Sequence, residues 1–146
     1  MTYRLHASLG YHLSRAARVQ ERRLEEGLRT LGLTRTTWCI LLALGNEGLA
    51  QPSEIAEFVG IDRTATSRAL RAMEADRLIS RTAGNGDGRT TEVRLTSLGR
   101  ARLGLGTPMA EANNAAMHAR LTPAETEDLK RLLARLTEGE ALLKSF

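Results

Sequence analysis

The sequence has little cysteine, little lysine and few aromatic residues. One of its 146 residues is cysteine and five are phenylalanine, tyrosine or tryptophan. A single thiol, Cys39, can form neither an internal disulfide nor a multi-thiolate metal site. His6, His12 and His118 have no metal-ligand spacing with Cys39, so we expect no metal and no other cofactor.

Long hydrophobic runs are also missing. The longest, at 38–44, has seven residues, whereas a membrane span needs roughly 18–20. The N-terminus lacks the apolar core and small-residue cleavage site of a secretory signal. We therefore expect a cytoplasmic protein that does not enter a membrane.

Nearly all of the positive charge is arginine. The 21 basic residues include 19 Arg against 17 acidic residues, for a net charge of +4. Arginine suits bidentate contacts to phosphate and guanine, but a GC-rich genome would also replace lysine by arginine everywhere. Residues 1–35 carry most of the excess, while seven Arg and seven acids cancel in 52–95. A nucleic-acid surface in 52–95 would depend on where its side chains are placed.

Hydrophobic periodicity and capping residues predict four helices in the first half of the chain. Apolar residues at steps of three or four predict a long first helix from Leu5 to Leu28. Thr34 and Asp62 can cap the second and fourth helices, and Pro52 suits the first position of the third. The expected ranges of the last three are 35–46, 52–59 and 63–76. In the fourth helix we expect a buried stripe of Ala65, Ala69, Leu70, Ala72 and Met73.

The pattern then changes to that of a hairpin. Residues 78–82 and 91–95 are predicted strands, and the Asn-Gly and Asp-Gly pairs between them favour a tight turn. Thr96 can cap a fifth helix, in which Pro108 predicts a kink or a break. Thr122 and Glu125 form a capping box that opens a sixth helix, whose apolar residues are expected to continue to Leu142 and Leu143. The predicted fold is mainly α with a small β-hairpin.

Residues 52–95 have the element order of a winged helix-turn-helix, whose second helix lies in the DNA major groove. Hydroxyls and forked cations on its outer face would suit base edges and phosphates. The outward residues are Arg63, Thr64, Thr66, Ser67, Arg68 and Arg71. Arg89 at the hairpin tip would enter the minor groove, positioned by Asp87. The alternative is a solvated helix face and a loose loop.

These residues also carry a family resemblance. The stretches 54–56, 60–68, 70–74 and 78–81, the wing signature Asp87-Gly88-Arg89, and the run from Val93 to Gly99 resemble the MarR (multiple antibiotic resistance regulator) family. The flanking helices match in order and length. The Gly and Pro cluster at 104–108 departs from the family, whose fifth helix is usually long and straight there.

The resemblance implies a homodimeric transcriptional regulator, usually a repressor. Residues 34–99 would form the winged helix-turn-helix, and 1–33 and 100–146 the dimerisation helices. The two reading helices would bind a near-palindromic double-stranded DNA about 34–36 Å apart. A small molecule would relieve repression by favouring a dimer in which the spacing of the two reading helices does not fit DNA. The apolar terminal helices could instead form an intramolecular core.

The resemblance further places an effector in a cleft lined by the first, second and fifth helices. The fitting residues are Tyr11, His12, Arg15 and Trp38, with Arg18 and Met109 as further candidates. Arginine beside aromatic rings suits an aromatic or acyl carboxylate. The alternative places Tyr11 and Trp38 in the core, Arg15 in an ion pair and His12 in solvent.

No catalytic constellation stands out, so we do not expect an enzyme. Cys39 lies in an apolar helix, which favours inert packing over redox sensing. The neutral charge of 52–95 leaves a second hypothesis, a winged-helix module that binds protein rather than DNA. Salt dependence would separate the two, because only DNA binding releases condensed counterions.

Overall fold

The computed structural model describes residues 1–83 and 91–140, and these form six α-helices and one β-hairpin. The elements are α1 (Leu9–Arg29), α2 (Arg35–Gly45), α3 (Pro52–Val59), α4 (Arg63–Ala75), β1 (Ile79–Ala83), β2 (Thr91–Leu95), α5 (Ser97–His118) and α6 (Pro123–Thr137). This confirms the predicted element order and the mainly α class. Leu142 and Leu143, predicted to continue the last helix, lie outside the described residues.

Side-chain caps fix where the helices begin. Thr34, Asp62, Thr96 and Thr122 each accept a hydrogen bond from a backbone N–H in the first turn of the helix that follows, as predicted. The first helix is shorter than expected. Ser8 caps it by accepting from the N–H of Tyr11 at 3.2 Å, so α1 begins at Leu9 and Leu5 lies in a preceding 3-10 turn.

Helix α5 runs without interruption from Ser97 to His118, with Pro108 inside it. Of the two alternatives predicted at Pro108, a kink or a break, the break is wrong. Proline leaves the carbonyl of residue 104 without its helical donor, but α5 packs along both α1 and α2, and this tertiary packing holds the helix together. The hydroxyl of Thr107 donates to the carbonyl of Leu103 at 2.8 Å one turn earlier.

The two strands pair antiparallel, with Ile79 opposite Leu95 and Ala83 opposite Thr91. The first strand lies one residue later than predicted, because Leu78 completes the turn out of α4. Its N–H donates to the carbonyl of Met73 at 2.9 Å. The second strand matches the prediction, and its N–H at Val93 donates to the carbonyl of Ala50 at 2.8 Å.

The buried core lies in the middle of the chain, around α2. It includes Leu28, Ile40, Leu41, Ile55, Leu70, Met73 and Val93. Leucines near the ends of the chain are exposed instead, on α1 at Leu9 and Leu13 and on α6 at 129, 132, 133 and 136. Within the described residues, no helix combines the length and the apolar character that a bilayer span requires.

Candidate nucleic-acid interface

A tight turn sets α4 against α3. Gly60 ends α3 with a left-handed backbone, φ +77°, a conformation that glycine adopts without steric cost. Two residues later Asp62 caps α4, and its Oδ1 accepts from the N–H of Ala65 at 2.6 Å. The first turn of α4 is thereby fixed. Asp62, Arg63 and Thr64 are exposed there, at the end of the helix that carries unpaired N–H groups and the positive end of the helix dipole.

The exposed face of α4 carries most of the residues predicted to meet DNA. Arg63, Thr64, Arg68 and Arg71 are exposed and Ser67 is half-buried. Ser67 Oγ accepts from Arg71 Nη2 at 3.5 Å. Within residues 1–83 and 91–140, none of the three arginines forms an ion pair. Their guanidinium groups are therefore available to an external anion.

Thr66 does not face outward, so that prediction is wrong. Its side chain is 1% exposed, and its hydroxyl donates to the carbonyl of Asp62 at 2.8 Å. A threonine satisfied by its own helix can be buried at little cost, and Thr66 packs beside Leu70 and Met73 in the buried stripe. Ala72, expected in that stripe, is exposed.

A hollow of about 480 Å³ lies where α4, the start of α3 and the hairpin meet. Most of its lining is polar or cationic: Arg63, Thr66 and Ser67 from α4, Gln51 and Ser53 at the start of α3, and Arg81 and Thr91 from the strands. Pro52 and Leu70 complete it. Sequence reasoning missed Arg81 because nothing local distinguishes it from any other exposed strand arginine. Arg81 contacts Glu74 of α4 by two hydrogen bonds, of 2.9 and 3.3 Å.

The Glu74–Arg81 contact perturbs both groups. Hydrogen bonds from the guanidinium, with its positive charge, lower the pKa of the Glu74 carboxyl. The carboxylate in turn raises the pKa of Arg81. Both groups are therefore charged throughout the neutral range. The predicted wing-tip residues, Asp87 and Arg89, lie outside the described residues.

The predicted effector residues do not all come together. Tyr11, Arg15 and Arg18 line one groove of about 310 Å³ on α1, with Val19 and Arg22. His12 is exposed beside it, edge-on to the Tyr11 ring at 5.7 Å. The steps of three and four from Tyr11 to Arg22 were visible in the sequence, and following them would have found the last two residues.

Trp38 lies in the core rather than in that groove. It is 2% exposed, and its ring packs against Gly106 of α5 so closely that a methyl group there would overlap it. Met109 packs against Gly27 of α1. Trp38 therefore holds α5 against α2, and its indole is not open to a ligand in this structure.

Two further kinds of site were considered in the sequence, a reactive thiol at Cys39 and a metal site. Burial raises the pKa of the Cys39 thiol, which keeps it protonated and unreactive at neutral pH. Among residues 1–83 and 91–140, no cluster of three metal-ligating side chains occurs.

The helix pair α3–α4 followed by the hairpin defines the class, a winged helix-turn-helix regulator. A family model described as the MarR family matches residues 31–90. The transcriptional repressor Rv2887 of Mycobacterium tuberculosis is 30% identical over 130 residues, which are 89% of this chain and 94% of the relative. This chain belongs to the MarR family.

Solved structures agree with the family. A probable transcriptional regulator from Pseudomonas aeruginosa is 32% identical, covers 91% of this chain and 99% of its own, and superposes with a TM-score of 0.82. Rv2887 in complex with salicylic acid is 31% identical over 89% of this chain and 96% of its own, with a TM-score of 0.65. A mutant MarR from E. coli, complexed with operator DNA, is 22% identical over 88% of this chain and 92% of its own. Its TM-score of 0.81 shows the shared fold.

Proposed function

We propose that this protein is a dimeric repressor that binds a near-palindromic operator near its own gene and releases it when a small aromatic or acyl carboxylate binds. The observation that carries the DNA-binding part is the exposed face of α4. It presents Arg63, Arg68 and Arg71 with no carboxylate partner among the described residues. Beside it, the start of α3 and the hairpin form the cationic hollow.

Two groups of residues on α4 would have different roles, one contacting phosphates and the other contacting base edges. The capped first turn of α4 and the guanidinium groups at its edge suit phosphates, which fix the protein on the duplex. Thr64, Ser67 and Arg68 stand on the face that would enter the major groove, where hydroxyls and guanidinium groups can read base edges. The wing would add Arg89 in the minor groove, as the family resemblance implies.

DNA titrations test this proposal. We expect nanomolar binding to one palindrome in the upstream intergenic region, weakening steeply with added salt. Arg68→Ala should cost about 1–3 kcal/mol of binding free energy if the guanidinium reads a base, and Arg63→Ala should reduce the salt slope by about one if it contacts a phosphate. Arg89→Ala should weaken binding about tenfold or more. The matched control is Arg131→Ala on α6, which should leave the affinity unchanged.

Weak binding that is indifferent to sequence would refute the repressor proposal. It would favour the alternative of a winged-helix module that binds protein. That alternative predicts that Arg68→Ala and Arg131→Ala bind DNA equally poorly.

Dimerisation is supported by surface that the single chain leaves uncovered. The chain exposes 10529 Å², whereas a compact monomer of 16.0 kDa exposes about 7,400 Å². Helix α6 makes hardly any contact with the other described elements, yet one of its faces carries four exposed leucines. We propose that α1, α5 and α6 of a second copy cover this surface, and that the division into residues 34–99 and the flanking dimerisation segments follows from it.

The dimer is tested on α6 with two adjacent substitutions. Leu133→Asp places a charge within the leucine stripe and should produce monomers, since burying an unpaired carboxylate is costly. Ala134→Asp adds the same charge on another face of the same helix and should leave the dimer intact. Sedimentation velocity would show the difference, and a dimeric Leu133→Asp would refute this interface.

The α1 groove is the proposed effector site. Its tyrosine ring and guanidinium groups suit an aromatic carboxylate, because a carboxylate can accept two parallel hydrogen bonds from one arginine. Rv2887, the relative solved with salicylic acid, supports this ligand class. Calorimetric titration with salicylate should show binding that Arg15→Gln weakens and that Arg23→Gln, elsewhere on the exposed surface of α1, does not. Equal salicylate affinities of Arg15→Gln and Arg23→Gln would contradict the assignment of the effector site to this groove.

A further inference from the structure

The contact between Glu74 and Arg81 joins the reading helix to the first strand of the wing. Arg81 Nε donates to Glu74 Oε2 at 2.9 Å and Arg81 Nη2 donates to Glu74 Oε1 at 3.3 Å. A planar guanidinium held at two points fixes direction as well as distance. The Arg81 side chain is 28% exposed and that of Glu74 43%, and Arg81 also lines the hollow beside α4.

Other contacts hold only the base of the wing. Arg77, with a left-handed φ of 61°, makes the turn out of α4, and Leu78 and Ile79 are buried immediately after it. Burial ends there on β1, since Thr82 and Ala83 are exposed. On β2 the backbone bond from Val93 to Ala50 anchors the opposite side. Among the described residues, Glu74–Arg81 is the outermost polar side-chain contact between the wing and α4.

We propose that Glu74 and Arg81 form a clamp that fixes the angle between the wing and the reading helix α4. With this angle fixed, the wing and the reading helix can bind the operator at the same time. The inference rests on the proposed DNA-binding function. It makes Glu74 a positioning residue that DNA binding needs although the side chain itself does not contact DNA. Arg81 acts through Glu74 in the same way.

The clamp and simple electrostatics predict changes of DNA affinity in opposite directions when the charge of Glu74 is removed. A carboxylate on a DNA-reading helix repels the phosphate backbone, so its neutralisation alone should strengthen binding, and more so at low salt. If Glu74 is part of a clamp, Glu74→Gln should weaken binding instead. Long-range charge and the clamp therefore predict opposite changes for the same substitution.

Arg81 allows a competing explanation, because it also lines the hollow with Arg63 and Ser67. As a direct phosphate contact, its loss would lower the salt slope by about one. As a clamp, its loss would lower affinity at unchanged slope. A direct contact would also make Glu74→Gln tighten binding, since it would free the guanidinium for DNA.

The experiment is a double-mutant cycle on operator binding, measured at several salt concentrations. Glu74→Gln and Arg81→Gln should each weaken binding about threefold or more, and the double variant no further than the weaker single one. The control is Glu57→Gln, an exposed carboxylate on α3 that should bind as tightly or slightly tighter.

A measurement without DNA separates the clamp from the function on which it rests. Amide hydrogen exchange in β1 should accelerate in Glu74→Gln, while amides of α2 exchange as before. The clamp is overturned if exchange in β1 is unchanged, if Glu74→Gln behaves like Glu57→Gln, or if the losses of the two single variants multiply. If the unaltered protein binds no operator, the proposed function fails, and the exchange result alone decides whether the contact holds the wing.

Discussion

Two glycines in α5, Gly104 and Gly106, differ in the space available for a side chain, and this difference allows a paired prediction. Gly106 faces the Trp38 ring, and a Cβ built there would lie 2.9 Å from Cε3 and 3.1 Å from Cη2, with Cζ3 nearer still. Gly104, two residues earlier in the same helix, has no atom within 4 Å of its Cβ position. Alanine at the two positions should therefore have opposite effects on stability.

The expected magnitudes follow from helix propensity and packing. Replacing a helix-interior glycine by alanine gains about 0.5–1 kcal/mol in either variant. Gly106→Ala also overpacks a buried ring, which costs about 1–3 kcal/mol. Trp38 is 2% exposed, so its ring is almost completely enclosed by the protein. The propensity terms cancel between the variants, so Gly106→Ala should be less stable than Gly104→Ala by about 1–3 kcal/mol.

Thermal and urea unfolding would measure the difference. The protein concentration should be held fixed, because the melting temperature of the proposed dimer would depend on it. For a chain of this size the melting temperatures should differ by roughly 3–10 °C. Trp38 is the only tryptophan, so its fluorescence should change in Gly106→Ala and stay constant in Gly104→Ala. Trp38→Phe shortens the ring and should recover part of the loss in a Gly106→Ala background. Equal stabilities with unchanged emission would refute the assigned contact.

Three further outcomes are expected. Thr66→Val should keep operator affinity within about twofold and cost about 1 kcal/mol of stability, because it removes one internal hydrogen bond and no DNA contact; a large loss of DNA affinity at unchanged stability would contradict this. Asp62→Ala should destabilise the protein by about 1 kcal/mol by removing the α4 cap, which urea unfolding would detect. Burial raises the pKa of the Cys39 thiol, so the folded chain holds this proton more tightly than the unfolded one. Its contribution to stability is therefore complete below about pH 8.5 and is lost as the pH rises through the folded value. In denaturant titrations the unaltered protein should therefore lose stability relative to Cys39→Ala as the pH rises above about 8.5. A stability difference that stays constant across that range would contradict the expectation.

Local signals in the sequence were sufficient for the element order. Thr34, Asp62, Thr96 and Thr122 were all predicted as caps and all accept the expected bond. A cap depends on residues three positions away, so the sequence alone contains the information. Gly60 is a local signal of the same kind, because it ends α3 in a left-handed conformation that glycine adopts without steric cost.

Features that depend on distant packing were not predictable in this way. Pro108 carries a local signal for a break, but the contacts of α5 with α1 and α2 outweigh it. Thr66 has the polarity of a surface residue, and only its internal hydrogen bond to Asp62 makes burial acceptable. Glu74 and Arg81 sit on different elements, so neither helical nor strand periodicity pairs them.

The exposed leucines of helix α6 affect how a newly synthesised chain would behave before it assembles. A helix of 15 residues that makes hardly any contact with the other described elements is marginal in water, and under the proposed dimer the second copy would stabilise it. Under the proposed dimer, each new subunit would expose its leucines until it met a second one, and chaperones and proteases would compete for it in that interval. The amount of active repressor would then rise more steeply than in proportion to synthesis, because assembly depends on the square of the subunit concentration.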